Sequence, residues 1–236
     1  MITIRGLRKS FGAVHALKGI DLTIEPGRVT AIVGPNAAGK TTLMKSLVGL
    51  VIPDGGDIRI DGVSTRNSWT YRERVGYMPQ TARFPDNLSL SELLTLVKDL
   101  RGAPARFEEE LLRLFELQGA IERPLRVLSG GTRQRISAVL ALMFDADILI
   151  LDEPTVGLDP LSSRRCKDRL AAERKRGKTI MLSSHLMSDL EELSERIVFL
   201  VEGQVYFDGT LEEIRARTAE RTLERAIARM MEGAGE

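Results

Sequence analysis

A single cysteine, Cys166, and two histidines, His15 and His185, are all that the 236 residues offer of the usual soft metal ligands. One cysteine forms no internal disulfide, and with so few histidines there is no Cys/His set for a structural zinc site. The composition suits a reducing compartment. Long apolar runs are also lacking. The longest nearly uninterrupted one, Ile136 to Phe144, contains Ser137 and falls far short of the ~18 apolar residues that a membrane helix needs, so no intrinsic membrane span is expected. Met1-Ile2-Thr3-Ile4-Arg5 has neither the basic and apolar regions nor the cleavage site of an export signal, and export is not expected. Excess charge of one sign is missing as well: Lys+Arg 34 against Asp+Glu 33 leaves +1, with 43% apolar and 28% charged residues. That balance suggests neither disorder nor a dominant electrostatic partner. No internal repeat and no low-complexity segment is present.

What is there reads as α/β. The length corresponds to roughly 1.6 domains, one large unit or two small ones. Short β-rich runs cover Ile2 to Ile4, Leu17 to Ile24 and Val29 to Val33. The turn Glu25-Pro26-Gly27-Arg28 has the Pro-Gly centre of a type II turn and predicts a hairpin between the last two. Asp57 to Ile60, Val75 to Met78, Ile148 to Leu151, Thr179 to Ser183 and Ile197 to Val201 are further strands, interleaved with helix-like stretches as a parallel sheet requires. Between Ser89 and Gly119 two helices follow one another without a strand, the first opened by the capping box Ser89 to Glu92. Thr210 to Glu213 repeats that device before a tail with Leu223, Ile227 and Met230 at helical spacing.

Gly34-Pro35-Asn36-Ala37-Ala38-Gly39-Lys40-Thr41 fits GxxxxGK[ST], between an apolar strand and a helix predicted over Thr42 to Leu50. That context is what the motif needs. Successive backbone N–H groups and a helix N-terminus make an anion nest for the phosphates of ATP; Lys40 reaches the β- and γ-phosphates, and the Thr41 hydroxyl binds Mg2+. Such a site also needs a carboxylate on a neighbouring strand end. Ile148-Leu149-Ile150-Leu151-Asp152-Glu153 supplies one where a buried parallel strand meets the crevice. Asp152 would hold Mg2+, and Glu153 would act as general base towards the attacking water.

Leu128-Ser129-Gly130-Gly131 followed by Thr132-Arg133-Gln134-Arg135 lies between these two motifs and resembles the signature of ABC-type ATPases; the resemblance covers about residues 2 to 210 in order. Alone, Ser-Gly-Gly is more often an ordinary helix-capping turn. The resemblance implies a P-loop core with a parallel sheet, an antiparallel β subdomain and a small helical subdomain. It divides the chain into a cassette over 1–210, with core segments 1–80 and 146–210 and a helical subdomain 81–145, and a helical tail over 211–236. It further implies that two chains sandwich two ATP molecules, Leu128, Ser129, Gly130 and Gly131 facing the nucleotide of the second subunit. Phe11 looks like the aromatic stacking on adenine, although an aromatic at a strand end is more often core. Gln80 looks like the glutamine contacting Mg2+ and water, Asp159 like the loop crossing the dimer interface, and His185 like the switch histidine on the γ-phosphate. The ATP site is then Phe11, Gly34 to Thr41 and Thr42, with Thr41, Gln80 and Asp152 around Mg2+.

Two positions depart from the family's pattern. Ala37 stands where Gly is usual, so a positive φ there would strain the loop; Thr132 replaces the usual Gln after the signature. Neither change removes a phosphate ligand or the base. The basic run Arg164, Arg165, Lys167, Arg169, Arg174, Lys175, Arg176, Lys178 is expected to be a solvated helix face rather than a nucleic-acid patch. The resemblance implies a homodimer or a paired ABC subunit, cytoplasmic and peripheral on the inner face of the cell membrane. Separate transmembrane permease subunits would dock over Gln80 to Leu100. A soluble mechanical ATPase on nucleic acid or ribosomes is the alternative. Those relatives carry a long coiled coil between loop and signature, or two cassettes, whereas here 88 positions separate Lys40 from Leu128. The wording of the chain resembles multidrug-type exporters and, around Gly34 to Lys40 and Tyr77 to Pro85, ATPases of copper-site assembly.

Overall fold

Val29–Val33, Ile148–Asp152 and Thr179–Ser183 are buried at every position, and these three strands organise the molecule. Strands covered on both faces read as continuous apolar runs rather than alternating ones. The computed structural model describes residues 1–66 and 68–233. In chain order its strands are β1 (Ile2–Phe11), β2 (Val14–Ile24), β3 (Val29–Val33), β4 (Gly55–Ile60), β5 (Val63–Ser64), β6 (Val75–Met78), β7 (Ile148–Asp152), β8 (Thr179–Ser183), β9 (Arg196–Val201) and β10 (Gln204–Thr210). The helices are α1 (Lys40–Leu47), α2 (Leu90–Arg101), α3 (Glu108–Leu114), α4 (Gly130–Leu142), α5 (Pro160–Lys175), α6 (Met187–Leu193), α7 (Leu211–Thr218) and α8 (Leu223–Gly233).

Two sheets form. A six-stranded sheet runs β10-β9-β3-β8-β7-β6, parallel except for the β9–β10 hairpin, and an antiparallel sheet runs β2-β1-β4-β5. Side chains alternate across the large sheet with the period of two that a strand imposes. Ala31, Val33, Leu149, Leu151 and Leu182 join the core under the helices, whereas Ile32, Ile148, Ile150, Met181 and Val198 join the core shared with α1 and the antiparallel sheet.

The hairpin expected at Glu25–Arg28 does not form. Gly27 has φ 71, as a type II turn requires, but β2 pairs with β1 and β3 with β8 and β9. The turn hands the chain from one sheet to the other, because the all-apolar β3 is covered fully only inside the parallel sheet. The helix after the loop spans Lys40–Leu47 rather than Thr42 to Leu50.

Both capping boxes are present. Ser89 and Glu92 exchange hydrogen bonds at the start of α2, and Thr210 and Glu213 do so at α7. In α8, Leu223, Ala226, Ile227 and Met230 are buried in the same core as α5 and α6; full burial of an aliphatic side chain of this size contributes roughly 1.5–3 kcal/mol. The basic run is a solvated face only in part. Arg164, Arg174, Lys175 and Arg176 are exposed, whereas Arg169 and Lys178 are buried, and ion pairs join Arg164 to Asp168 and Glu192, Arg165 to Glu116, Lys167 to Glu192, Arg169 to Glu110 and Glu173, Arg174 to Glu195, Arg176 to Glu173 and Asp145, and Lys178 to Asp145. The guanidinium groups of Arg169 and Arg176 also lie over the Phe107 ring, 4.8 and 4.7 Å from its centre. These contacts lock α5 onto the turn before β7 and onto the segment carrying α3.

Candidate active site: a phosphate loop beside an acidic strand end

β3 leads straight into residues 34–39, and Gly39, at φ 101, opens α1. The Lys40 ammonium folds over this loop, donating to the carbonyl oxygens of Gly34 at 2.7 Å and Pro35 at 2.9 Å. Burial lowers its pKa, against the opposing charges of Glu153 and Asp152. Ala37 has φ 63, so the departure anticipated from the sequence does place a methyl group in left-handed backbone, at a cost of roughly 1–2 kcal/mol.

The parallel register sets Asp152 opposite Ser183. Ser183 Oγ donates to Asp152 Oδ1 at 2.6 Å and accepts the Glu153 N–H at 3.0 Å. Thr41 Oγ1 donates to the other oxygen, Oδ2, at 2.8 Å. Asp152, 2% exposed, is thereby fixed by one hydroxyl from the phosphate-loop helix and one from the neighbouring strand. Glu153, also buried, sits at φ 55 just beyond the strand. Its Oε2 meets His185 Nδ1 at 3.0 Å and accepts the His185 backbone N–H at 3.3 Å. A carboxylate only accepts, so His185 donates from Nδ1 and keeps Nε2 free of that bond. Behind the strand, burial and then the Asp152 charge push the Tyr77 phenol up to about 12, which keeps it neutral, and its hydroxyl has no partner among the described residues.

A cleft of about 370 Å³ runs from Phe11, Val14 and Ala16, past residues 36–42, to Gln80, Asp152 and Glu153. Phe11 is therefore not core: it is 51% exposed, with the Lys9 ammonium 5.3 Å from its ring centre. An adjoining space brings Gln80 and Arg83 to Thr41 and Asp152. The donor set of Thr41 hydroxyl, Asp152 carboxylate and Gln80 amide consists of hard oxygen ligands, few in number. Mg2+ is bound in that way, with substrate phosphates completing its shell. No cluster of three His, Cys, Asp or Glu side chains suited to a metal ion occurs among the described residues.

Ser129 caps α4, its Oγ accepting from Thr132 N at 3.2 Å and lying 2.9 Å from Thr132 Oγ1. Arg135 donates to the same Thr132 hydroxyl at 3.2 Å, so the second departure is absorbed into the cap. Ser129 and Gly130 are exposed, and none of residues 128–131 lines the cleft of the phosphate loop. A methyl group on Gly131 would stand 2.9 Å from the Gly157 carbonyl oxygen, so the signature abuts the loop that ends at Asp159. Asp159 caps α5, accepting from Leu161 N, Ser162 N and Ser162 Oγ, and the Ser162 hydroxyl holds its carboxyl below the ordinary range. Sequence reasoning missed Ser183: its role depends on the register between two strands 31 residues apart.

The ABC transporter family matches residues 17–156. The lantibiotic transport ATP-binding protein SrtF of Streptococcus pyogenes is 34% identical over 222 residues, 91% of this chain and 95% of that protein. The daunorubicin resistance ATP-binding protein DrrA3 of Streptomyces coeruleorubidus is 34% identical over 92% of this chain and 70% of its own length. Among solved structures, an ATP-binding subunit of an ABC transporter superposes with a TM-score of 0.90 at 28% identity, covering 98% of this chain and 99% of its own. The dimeric post-hydrolysis state of the cassette MJ0796, bound to ADP and Pi, gives 0.79 at 27%, covering 89% and 99%. With the cleft geometry, these matches place the chain in the ABC transporter family, as an ATP-binding and ATP-hydrolysing subunit.

Proposed function

We propose that two copies of this chain, or this chain and a paired ABC subunit, close around two ATP molecules and drive export through separate transmembrane subunits at the inner face of the cell membrane. The observation that carries the reading is the bonded set Thr41–Asp152–Ser183 beside Glu153–His185, in one cleft with the phosphate loop. The backbone N–H groups of residues 34–41 and the Lys40 ammonium hold the phosphates, and Phe11 stacks on adenine. Thr41, Asp152 and Gln80 would hold Mg2+, which neutralises phosphate charge when bound. Glu153 accepts the proton of the attacking water as its oxygen bonds the γ-phosphorus; the bond to the β–γ bridging oxygen breaks, giving ADP and phosphate. His185 faces the γ-phosphate with Nε2, which donates to it when the ring carries a proton on each nitrogen.

The helix N-terminal N–H groups at Ser129, Gly130 and Gly131 of one chain complete the site of the other, with Asp159 crossing between them, so the γ-phosphate stabilises the closed pair and its loss releases it. Helices within 81–145 and the surface from Gln80 to Leu100 form the lobe that the membrane subunits engage. Export is favoured because the similar proteins include, beside the lantibiotic transport and daunorubicin resistance ATP-binding proteins, a Nod factor export ATP-binding protein. These similarities do not favour the reading as a soluble mechanical ATPase.

Glu153→Gln tests the reading. Hydrolysis should fall by at least about 100-fold while ATP still binds, and the mass of the purified chain should double on adding ATP. Unchanged hydrolysis in this variant would sink the general-base role.

A further inference from the structure

Two buried polar side chains behind the cleft are bonded to each other and have no part in the chemistry above. Thr155, two residues beyond Glu153, and Asp189, four beyond His185, are each 4% exposed. Thr155 Oγ1 donates to Asp189 Oδ2 at 2.5 Å, and Lys167 Nζ on α5 stands 3.4 Å from Oδ1. A buried carboxylate is costly unless paired, and an apolar pair would fill the same space, so packing alone does not account for this choice of residues.

The bond joins the two segments that carry the hydrolytic pair. On the cleft side they meet through Glu153 Oε2 and the His185 ring and backbone; on the buried side they meet through Thr155 and Asp189. Glu153 needs such support. Its φ of 55 is left-handed backbone for a residue with a side chain, a conformation that persists only where the surroundings over-determine it. Asp189 lies in the first turn of α6, which begins two residues after His185, so a shift of that helix would move the imidazole relative to the carboxylate.

We infer that Thr155 and Asp189, with Lys167 balancing the charge, are a positioning pair that keeps the Glu153 turn and the His185 segment in register for ATP hydrolysis. The inference rests on Glu153 and His185 acting as proposed above. The pair touches neither water nor nucleotide; it acts through the carboxylate and the imidazole.

Steady-state hydrolysis by the full chain tests it, using Thr155→Val, Thr155→Ser and Asp189→Asn with and without His185→Ala. Thr155→Val should lower kcat about tenfold with KM changed less than about twofold, because a small displacement of the base acts on the reacting geometry rather than on binding. Thr155→Ser, which keeps the hydroxyl, and Asp189→Asn, which keeps an acceptor for it, should each stay within about threefold of the parent; they also serve if the valine variant fails to fold. In the His185→Ala background Thr155→Val should cost less than about twofold more, since residues acting as one unit are not additive. Full multiplication of the two losses, a rise in KM without loss of kcat, or serine and valine behaving alike would overturn the positioning role. Intact activity of His185→Ala is a different failure, that of the Glu153–His185 reading itself.

Discussion

The phosphate-loop end and the signature end of this chain are built to different degrees of completion. At the first, both Asp152 oxygens are engaged, Glu153 is tied to His185, and the Lys40 ammonium lies over its own loop. At the second, Ser129 and Gly130 are exposed, and the cap is satisfied within its own helix by Thr132. One end is preorganised in a single chain; the other leaves its helix N-terminus outside this chain's own cleft, where the proposed closed pair would bring the partner's phosphate to it. The two ends should accordingly fail in different ways. Lys40→Ala should weaken ATP binding by at least about 100-fold, since it removes a desolvated charge from the phosphates. Ser129→Arg should leave ATP affinity of the single chain within about threefold of the parent while abolishing turnover and the ATP-driven mass increase. Isothermal titration and light scattering separate these outcomes; loss of ATP binding in Ser129→Arg would merge the two ends into one site and break the contrast.

The contrast also requires that the two ends move as parts of one body, and Asp145 is where that can be probed. It lies between α4, which begins at the signature, and β7, which ends at Asp152, and it pairs with Arg106, Arg176 and Lys178. Burial would raise its carboxyl, but Lys178, Arg176 and Arg106 outweigh that and hold it below the usual value. A depressed folded-state pKa means that the stabilisation is fully present above the unfolded value of about 3.9 and is lost as pH falls through the lower folded value. Asp145→Asn should cost about 1–3 kcal/mol near neutrality, leaving the buried Lys178 ammonium with a neutral acceptor in place of the carboxylate. Asn tolerates the φ of 58 at this position, so backbone strain adds nothing to the loss. Denaturant melts of both proteins should converge as the pH drops below about 4; a gap that persists there would mean that charge is not what Asp145 contributes.

Legibility from sequence followed the reach of each interaction. Residues 34–41 and Asp152–Glu153 could be read because their chemistry is carried by consecutive residues, and the capping boxes at Ser89 and Thr210 could be read for the same reason. The Glu25–Arg28 turn had the right local chemistry, yet which strand β3 pairs with is decided by burial on both of its faces. β5 and β10 went unread, although Asp61-Gly62 and Glu202-Gly203, both with φ positive at each position, are the type of two-residue connection that closes a hairpin. The burial of Arg169 and Lys178 within the basic run went unread because the run's partners Glu110, Glu116, Asp145, Glu192 and Glu195 come from other elements. Ser183, Thr155 and Asp189 become visible only once β7 and β8 are placed side by side.

The smallest expected effect concerns strain at the completed end. Ala37 at φ 63 costs roughly 1–2 kcal/mol relative to a residue without a side chain, whereas Ser129 sits at φ −63 and ψ 159, an ordinary cap conformation. Ala37→Gly should relieve that cost, partly offset by the greater freedom of glycine in the unfolded chain. A net gain of about 0.5–1 kcal/mol corresponds to a melting temperature higher by about 1–4 °C for a chain of this size. ATP affinity should change by less than about twofold, because the backbone already holds the conformation that glycine prefers. A higher melting temperature with unchanged affinity would show that the loop carries its strain without using it; tighter binding together with higher stability would show that the methyl group hinders the phosphates, and the phosphate-loop end would then be less complete than its hydrogen bonds imply.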